Sequence, residues 1–206
     1  MQTLVFGTKN KKKGIELAEL LLPYHIEVKT LADFEKTLDV IEDGTTFLEN
    51  ARKKASQQAQ FLNAWVVGED SGLCVDALHG APGILSARFA SLSEKENASD
   101  ESNNRKLLEL LHDVPLEKRT AHYTCAAALS DPSGAIRGEA ENHCRGRIRF
   151  EPSGSGGFGY DPLFEVLEYH QTFGELSAIV KRTISHRART IRELCQVLVR
   201  QENGEN

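Results

Sequence analysis

The chain has 206 residues, 40% of them hydrophobic and 27% charged, with a formal net charge of -5. That length and balance describe a single globular domain able to bury a core, and exclude a disordered, fibrous or membrane-spanning chain. The acidic surplus excludes a broad nucleic-acid face, so any bound polyanion is small and held locally, with no membrane or nucleic-acid polymer among the partners.

Met1 to Phe6 has no charged segment before its apolar residues and runs on into lysines, unlike a secretory leader, and a cytoplasmic location is expected. Cys74, Cys125, Cys144 and Cys195 form no CxxC pair and read as reduced structural thiols. The histidines are equally dispersed, which speaks against zinc.

Thr3 to Phe6 reads as a short apolar strand and Gly7-Thr8 as a turn. Ile15, Ala18, Leu21 and Leu22 then recur at helical spacing until Pro23. Lys9, Lys11, Lys12 and Lys13 crowd the start of that helix, where the macrodipole is positive and cations are disfavoured. Phosphate binding and simple solvation fit this cluster equally well. Ile26 to Leu31 alternates as a second strand, followed by a loop ending Ile41-Glu42-Asp43-Gly44. Thr46 and Glu49 form a capping box for a helix whose inner stripe is Phe47, Ala51, Ala55, Ala59 and Leu62. Arg52, Lys53 and Lys54 make a second basic helix start, with Lys54 at the edge of the stripe, where most lysines only snorkel.

The apolar run Ala64-Trp65-Val66-Val67 leads into Gly68-Glu69-Asp70-Ser71-Gly72, so a buried strand delivers two carboxylates and a hydroxyl to its own end. On residue types alone a turn is favoured there, and a carboxylate site for a hard cation and a water is the other reading. Asn97 to Glu101 is polar loop, and Leu107, Leu108, Leu110 and Leu111 mark a helix ending before Pro115. Thr120 to Leu129 alternates, Asp131-Pro132-Ser133-Gly134 turns, and Ala135 to Arg149 is extended, which predicts an antiparallel hairpin and a mixed sheet. The glycine-rich segment Ser153 to Pro162 carries Phe158 and Tyr160 in its middle, suiting a nucleotide better than a flexible linker, although the lysine ending of a P-loop is missing. The last helix shows Ile184, Ala188, Ile191, Leu194, Cys195 and Leu198 on one face, with Ser185 as its N-cap. Lys181, His186, Arg187 and Arg189 gather around that start, and for His186 alone a structural role is the default.

Taken in order, these segments resemble the inosine/xanthosine triphosphate pyrophosphatase family. The matching pieces are Thr8-x-Asn10-x-x-Lys13-x-x-Glu16, Glu42-Asp43-Gly44-x-Thr46-Phe47-x-Glu49-Asn50-Ala51-x-x-Lys54-Ala55, Asp70-Ser71-Gly72-Leu73-x-Val75-Asp76-Ala77-Leu78, Gly80-x-Pro82-Gly83-x-x-Ser86-Ala87-Arg88, Gly156-Gly157-Phe158-Gly159-Tyr160-Asp161-Pro162 and Lys181-x-x-Ile184-Ser185-His186-Arg187. The resemblance implies an α/β fold with a mixed central sheet, flanking helices and two lobes around an active-site cleft. It implies cleavage of ITP, dITP or XTP to the monophosphate and pyrophosphate, with magnesium as cofactor, one ion or more, and manganese as an alternative.

Residue by residue, it implies that Thr8, Lys9, Asn10, Lys11, Lys12, Lys13 and Lys54 contact the triphosphate, and that Ser71 also contacts substrate. Glu42 and Asp70 would serve the metal, Asp70 also as the base for the attacking water. Phe158, Gly159, Tyr160, Asp161, Lys181, His186 and Arg187 would surround base and sugar. A homodimer is implied in the same way. Position 69 departs from the family's usual Asp, and the longer Glu side chain keeps Glu69 out of the expected metal set. A nucleotide sensor without turnover and a γ-phosphate hydrolase are the rival classes, the second opposed by the missing Walker lysine.

Overall fold

The strands are β1 (Thr3–Phe6), β2 (Glu27–Thr30), β3 (Val66–Val75), β4 (Thr120–Ser130), β5 (Ile136–Ile148), β6 (Phe164–Val166) and β7 (Gln171–Thr172). They form one sheet in the order β2-β1-β3-β4-β5-β6-β7. In this computed structural model, residues 3–24, 26–93 and 96–202 are described, the side chains of 24 and 198–202 excepted. The sheet is mixed, as expected: β1 runs parallel to β2 and β3, whereas β6 is antiparallel to β5 and β7. The helices are α1 (Lys11–Leu21), α2 (Phe47–Leu62), α3 (Asp100–Leu110), α4 (Ala178–Ile184) and α5 (His186–Glu202). Among the described residues no helix is long and apolar enough to cross a membrane.

Two compact units divide the chain. The first comprises Met1–Asp70, Cys125–Asn142 and His186–Asn206, and the second Ser71–Thr124 and His143–Ser185. In the first unit the strands are covered on both faces. Leu4, Phe6, Val67, Ala127 and Leu129 point to one side, where Leu17 and Leu21 of α1 and Ile191, Leu194 and Cys195 of α5 meet them. Val5 and Val66 pack with Ala59 on the other side, where Ala126 and Ala128 meet Ala51 and Ala55 of α2. Strand alternation and helix periodicity thus interlock, each fully buried leucine or isoleucine contributing about 1.5–3 kcal/mol. The second unit has its own core, in which Tyr123, Phe164 and Phe173 pack ring to ring among Leu73, Leu107, Ile148 and Leu163.

Several local expectations change. The buried face of α1 is Gly14, Leu17 and Leu21, while Ile15 is 61% and Leu22 76% exposed. With Leu21 against the sheet, the 3.6-residue period brings 17 and 14 inward and turns 15, 18 and 22 away. Asp100 already belongs to α3, whose start is capped by the Ser99 hydroxyl. The alternation in Thr120 to Leu129 ends at Tyr123, beyond which β4 is buried on both faces. Ser185, with extended backbone, is the C-cap of α4 and also directly precedes His186, where α5 begins, in keeping with its reading as the N-cap of the last helix, whereas Ile184 belongs to α4 and packs on the second unit's core. Leu198 falls outside the described side chains. Thr46 caps α2 as predicted, but Glu49 reaches back to the Thr45 N–H.

Candidate active site

The stretch 68–72 is not a turn and not a strand end, because β3 continues through it to Val75. Successive side chains on a strand point to opposite faces, so Glu69 and Asp70, adjacent in sequence, serve different sides of the sheet. Asp70 follows Val66 and Gly68 toward α2, and Glu69 follows Val67 toward α1 and α5.

On the α2 side, approach is closest at Gly68. A Cβ there would stand 2.1 Å from the Ala51 carbonyl oxygen and 2.5 Å from the Ala55 nitrogen, so only glycine lets α2 lie against the strand. That proximity brings Asn50 and Lys54 onto Asp70. Asn50 Nδ2 donates to Asp70 Oδ2 at 3.1 Å, and Lys54 Nζ donates to Asp70 Oδ1 at 3.2 Å and to Glu42 Oε2 at 2.9 Å. Asn50 Oδ1 accepts from the Gly44 N–H at 2.8 Å, which ties the loop carrying Glu42 to the helix. Burial raises the Asp70 pKa above the ordinary aspartate value, only partly offset by Lys54 and Lys13. For Lys54, burial alone would lower the pKa, but Asp70 and Glu42 outweigh it and the group stays firmly cationic.

Two carboxylates sharing one point charge are also a donor set for a hard cation. Among the described residues no group of three or more acidic, histidine or cysteine side chains could hold a metal. Glu42 and Asp70, which both meet Lys54 Nζ, are the kind of pair that suits a hard cation that keeps several waters and takes one or two carboxylates plus phosphate oxygens.

On the other side, Glu69 is buried among cations. Lys13 Nζ donates to its Oε2 at 2.7 Å, and Arg187 Nε and Nη2 donate to its Oε1 at 3.2 and 3.1 Å. Arg187 Nη1 donates to Glu16 Oε2 at 2.6 Å, and the Cys125 thiol to Glu69 Oε1 at 3.4 Å. Burial would raise the Glu69 pKa, but Lys13 and Arg187 prevail and hold it well below the usual carboxylate range. Burial and the nearby Glu69 charge push the Cys125 thiol well up, so it is protonated and unreactive.

The lysine-rich loop divides by exposure. Asn10 caps α1, its Oδ1 accepting from the Lys12 and Lys13 N–H groups, and the Thr8 hydroxyl accepts from the Asn10 N–H. Lys9 pairs with Asp39 at 2.8 Å in an exposed contact worth little, and Lys11 and Lys12 are exposed. Lys13 turns toward β3, where it meets Glu69. His186 is buried at the start of α5, beside Arg187.

The remaining candidates lie in the second unit. Ser71 follows Asp70 on β3 and is half-buried. Asp161 organises the glycine-rich loop: its Oδ2 accepts from the Phe158 N–H at 2.9 Å and from Lys181 Nζ at 2.7 Å. Gly157 has φ +75°, and a Cβ there would fall 1.9 Å from the same Asp161 oxygen. Lys181 Nζ lies 5.3 Å from the centre of the Phe158 ring, so cation, carboxylate and aromatic face form one cluster. The Gly159 N–H donates to Asp100, and the buried Tyr160 hydroxyl to the Ser86 carbonyl.

The expected site set omits Glu16 and Asn50, whose signal is their place inside the ordered motifs, and it omits Glu69, which the residue types mark as a carboxylate beside Asp70 but which is kept out of the metal set.

Comparison with known proteins gives a consistent picture. The Ham1 family model matches residues 4–197. A dITP/XTP pyrophosphatase of Rhodopirellula baltica is 51% identical over 200 residues, covering 97% of this chain and 94% of that protein. One from Desulforamulus reducens is 48% identical over 197 residues, covering 96% of each. Among solved structures, a HAM1 protein from Coxiella burnetii superposes with a TM-score of 0.85 at 35% identity, covering 97% of this chain and 99% of that one. The Staphylococcus aureus Ham1 protein gives 0.82 at 36% identity, covering 98% and 100%.

Proposed function

Because the chain belongs to the Ham1 family, we propose that it hydrolyses the non-standard purine nucleoside triphosphates ITP, dITP and XTP to the monophosphate and pyrophosphate, clearing them from the cytoplasmic nucleotide pool as a homodimer. The observation that carries the reading is the convergence of Glu42 and Asp70 on Lys54 Nζ, at 2.9 and 3.2 Å. It joins two oxygen donors for magnesium to a buried cation for phosphate.

Glu42 and Asp70 would hold the ion, which when bound neutralises charge on the phosphate oxygens. Asp70, its carboxylate oriented by Asn50 and its pKa raised by burial above the ordinary aspartate value, takes a proton from water. The water oxygen bonds to the α-phosphorus as the bond to the bridging oxygen breaks and pyrophosphate leaves. Lys54 and Lys13 offset the leaving group's charge, so catalysis is chiefly positioning and electrostatics. Phe158 stacks on the base, Lys181 and Asp161 hold the loop around base and sugar, and His186 and Arg187 donate toward the 6-keto edge. Thr8, Asn10 and the start of α1 serve the phosphates, and Ser71 contacts the substrate.

A panel of ITP, dITP, XTP, ATP and GTP with magnesium, run in oxygen-18 water with orthophosphate and pyrophosphate measured separately, tests the reading. Pyrophosphate and labelled monophosphate from ITP are expected. Orthophosphate, or label in the pyrophosphate, would overturn the α-phosphorus assignment.

A further inference from the structure

Glu69 has no part in the reaction just described, yet it is buried and engaged through both of its oxygens. It is 4% exposed, and its two oxygens are divided between residues of opposite duty. Oε2 takes Lys13 at 2.7 Å, in the first turn of the helix that follows the phosphate loop. Oε1 takes Arg187 Nε and Nη2 at 3.2 and 3.1 Å, on the helix assigned to the base. Of the five N–H donors of Arg187, those on Nε, Nη1 and Nη2 include contacts to Glu69 and Glu16, so its orientation depends on these two anions.

We infer that Glu69 is a shared counter-ion and positioning residue that ties the phosphate end of the substrate site to the base end. The inference rests on the activity proposed above. When a triphosphate draws the Lys13 ammonium away, the charge of Glu69 falls chiefly on Arg187 and fixes its guanidinium for the purine edge. Triphosphate engagement and base recognition are then one coupled event. Such a link has a reciprocal signature, in which altering the phosphate-side partner changes discrimination at the base. A carboxylate that only balanced buried charge would have no such signature, because its loss would slow all substrates alike.

The test is the ratio of kcat/KM for ITP to that for ATP in the full-length protein and in Glu69→Gln, Glu69→Asp and Lys13→Met, with thermal melting as the check on folding. Glu69→Gln should lower the ITP:ATP ratio by about fivefold or more, the lower range of ordinary coupling. Glu69→Asp restores the charge and should recover part of that loss. Lys13→Met, although its residue faces the phosphates, should also lower the ratio and not merely the rate. Should Glu69→Gln fail to fold, Lys13→Met carries the test. An unchanged ITP:ATP ratio in either folded variant would overturn the shared role while leaving the proposed activity standing. Absence of ITP turnover in the unaltered protein would overturn that activity, and this inference with it.

Discussion

Gly68→Ala probes the close approach on which the proposed site depends, without altering a polar side chain. The new Cβ would fall 2.1 Å from the Ala51 carbonyl oxygen and 2.5 Å from the Ala55 nitrogen. Both are backbone atoms of α2 and cannot rotate aside, so the helix must retreat by roughly 1 Å or more to reach ordinary contact. Asn50 and Lys54 ride on that helix, and their bonds to Asp70, now 3.1 and 3.2 Å, would open past hydrogen-bonding range. A misplacement of about 1 Å costs on the order of 10²-fold in rate, equivalent to about 2.7 kcal/mol. Overpacking of this kind costs about 1–3 kcal/mol of stability, which for a chain of this size lowers Tm by about 2–12 °C. Pyrophosphate release from ITP and thermal unfolding, measured on the same preparation, report the two effects. Turnover within about threefold of the parent at an unchanged Tm would refute the reasoning, since α2 would then have room that the geometry denies it.

Asp70→Asn is expected to lower kcat by at least about 10²-fold while moving Tm by only a few degrees. The amide accepts from Asn50 or Lys54 but not from both, a loss of about 1 kcal/mol set against relief from burying a charge; near-parental turnover with magnesium would remove Asp70 from the chemistry. For Glu69 the folded pKa lies well below its unfolded value, so its stabilisation is complete above about pH 4.3 and fades as pH falls toward the folded pKa. Urea unfolding between neutral and acid pH should therefore show a steeper acid decline in the parent than in Glu69→Gln, and parallel profiles would contradict the ion-pair account. Asp161→Asn removes the charge behind the Lys181 and Phe158 contacts, worth about 1.5–3 kcal/mol, and should lower Tm while raising KM for ITP more than it lowers kcat. An unchanged melt would show that this carboxylate does not organise its loop.

Much of this protein was legible in its sequence because the relevant physics is local. The Thr46 cap and the alanines of α2 fall where side-chain period and capping chemistry require, and β1 occupies the segment its apolar run predicts. The hairpin turn follows from Asp131 to Gly134, where the Asp131 carboxylate accepts from the Ser133 N–H. The ordered motifs likewise carried the family and the candidate residues.

What the sequence did not reveal depends on neighbours distant along the chain. Residues 68–72 have turn chemistry, yet flanking strands and α2 hold them extended, and that extension sends Glu69 and Asp70 to opposite faces. Glu69 acquires its role only because Lys13 and Arg187, 56 and 118 residues away, are brought to it by two helices on one side of the sheet. Local preference is worth tenths of a kcal/mol per residue, whereas a buried charge left unpaired costs several, so tertiary pairing decided these positions.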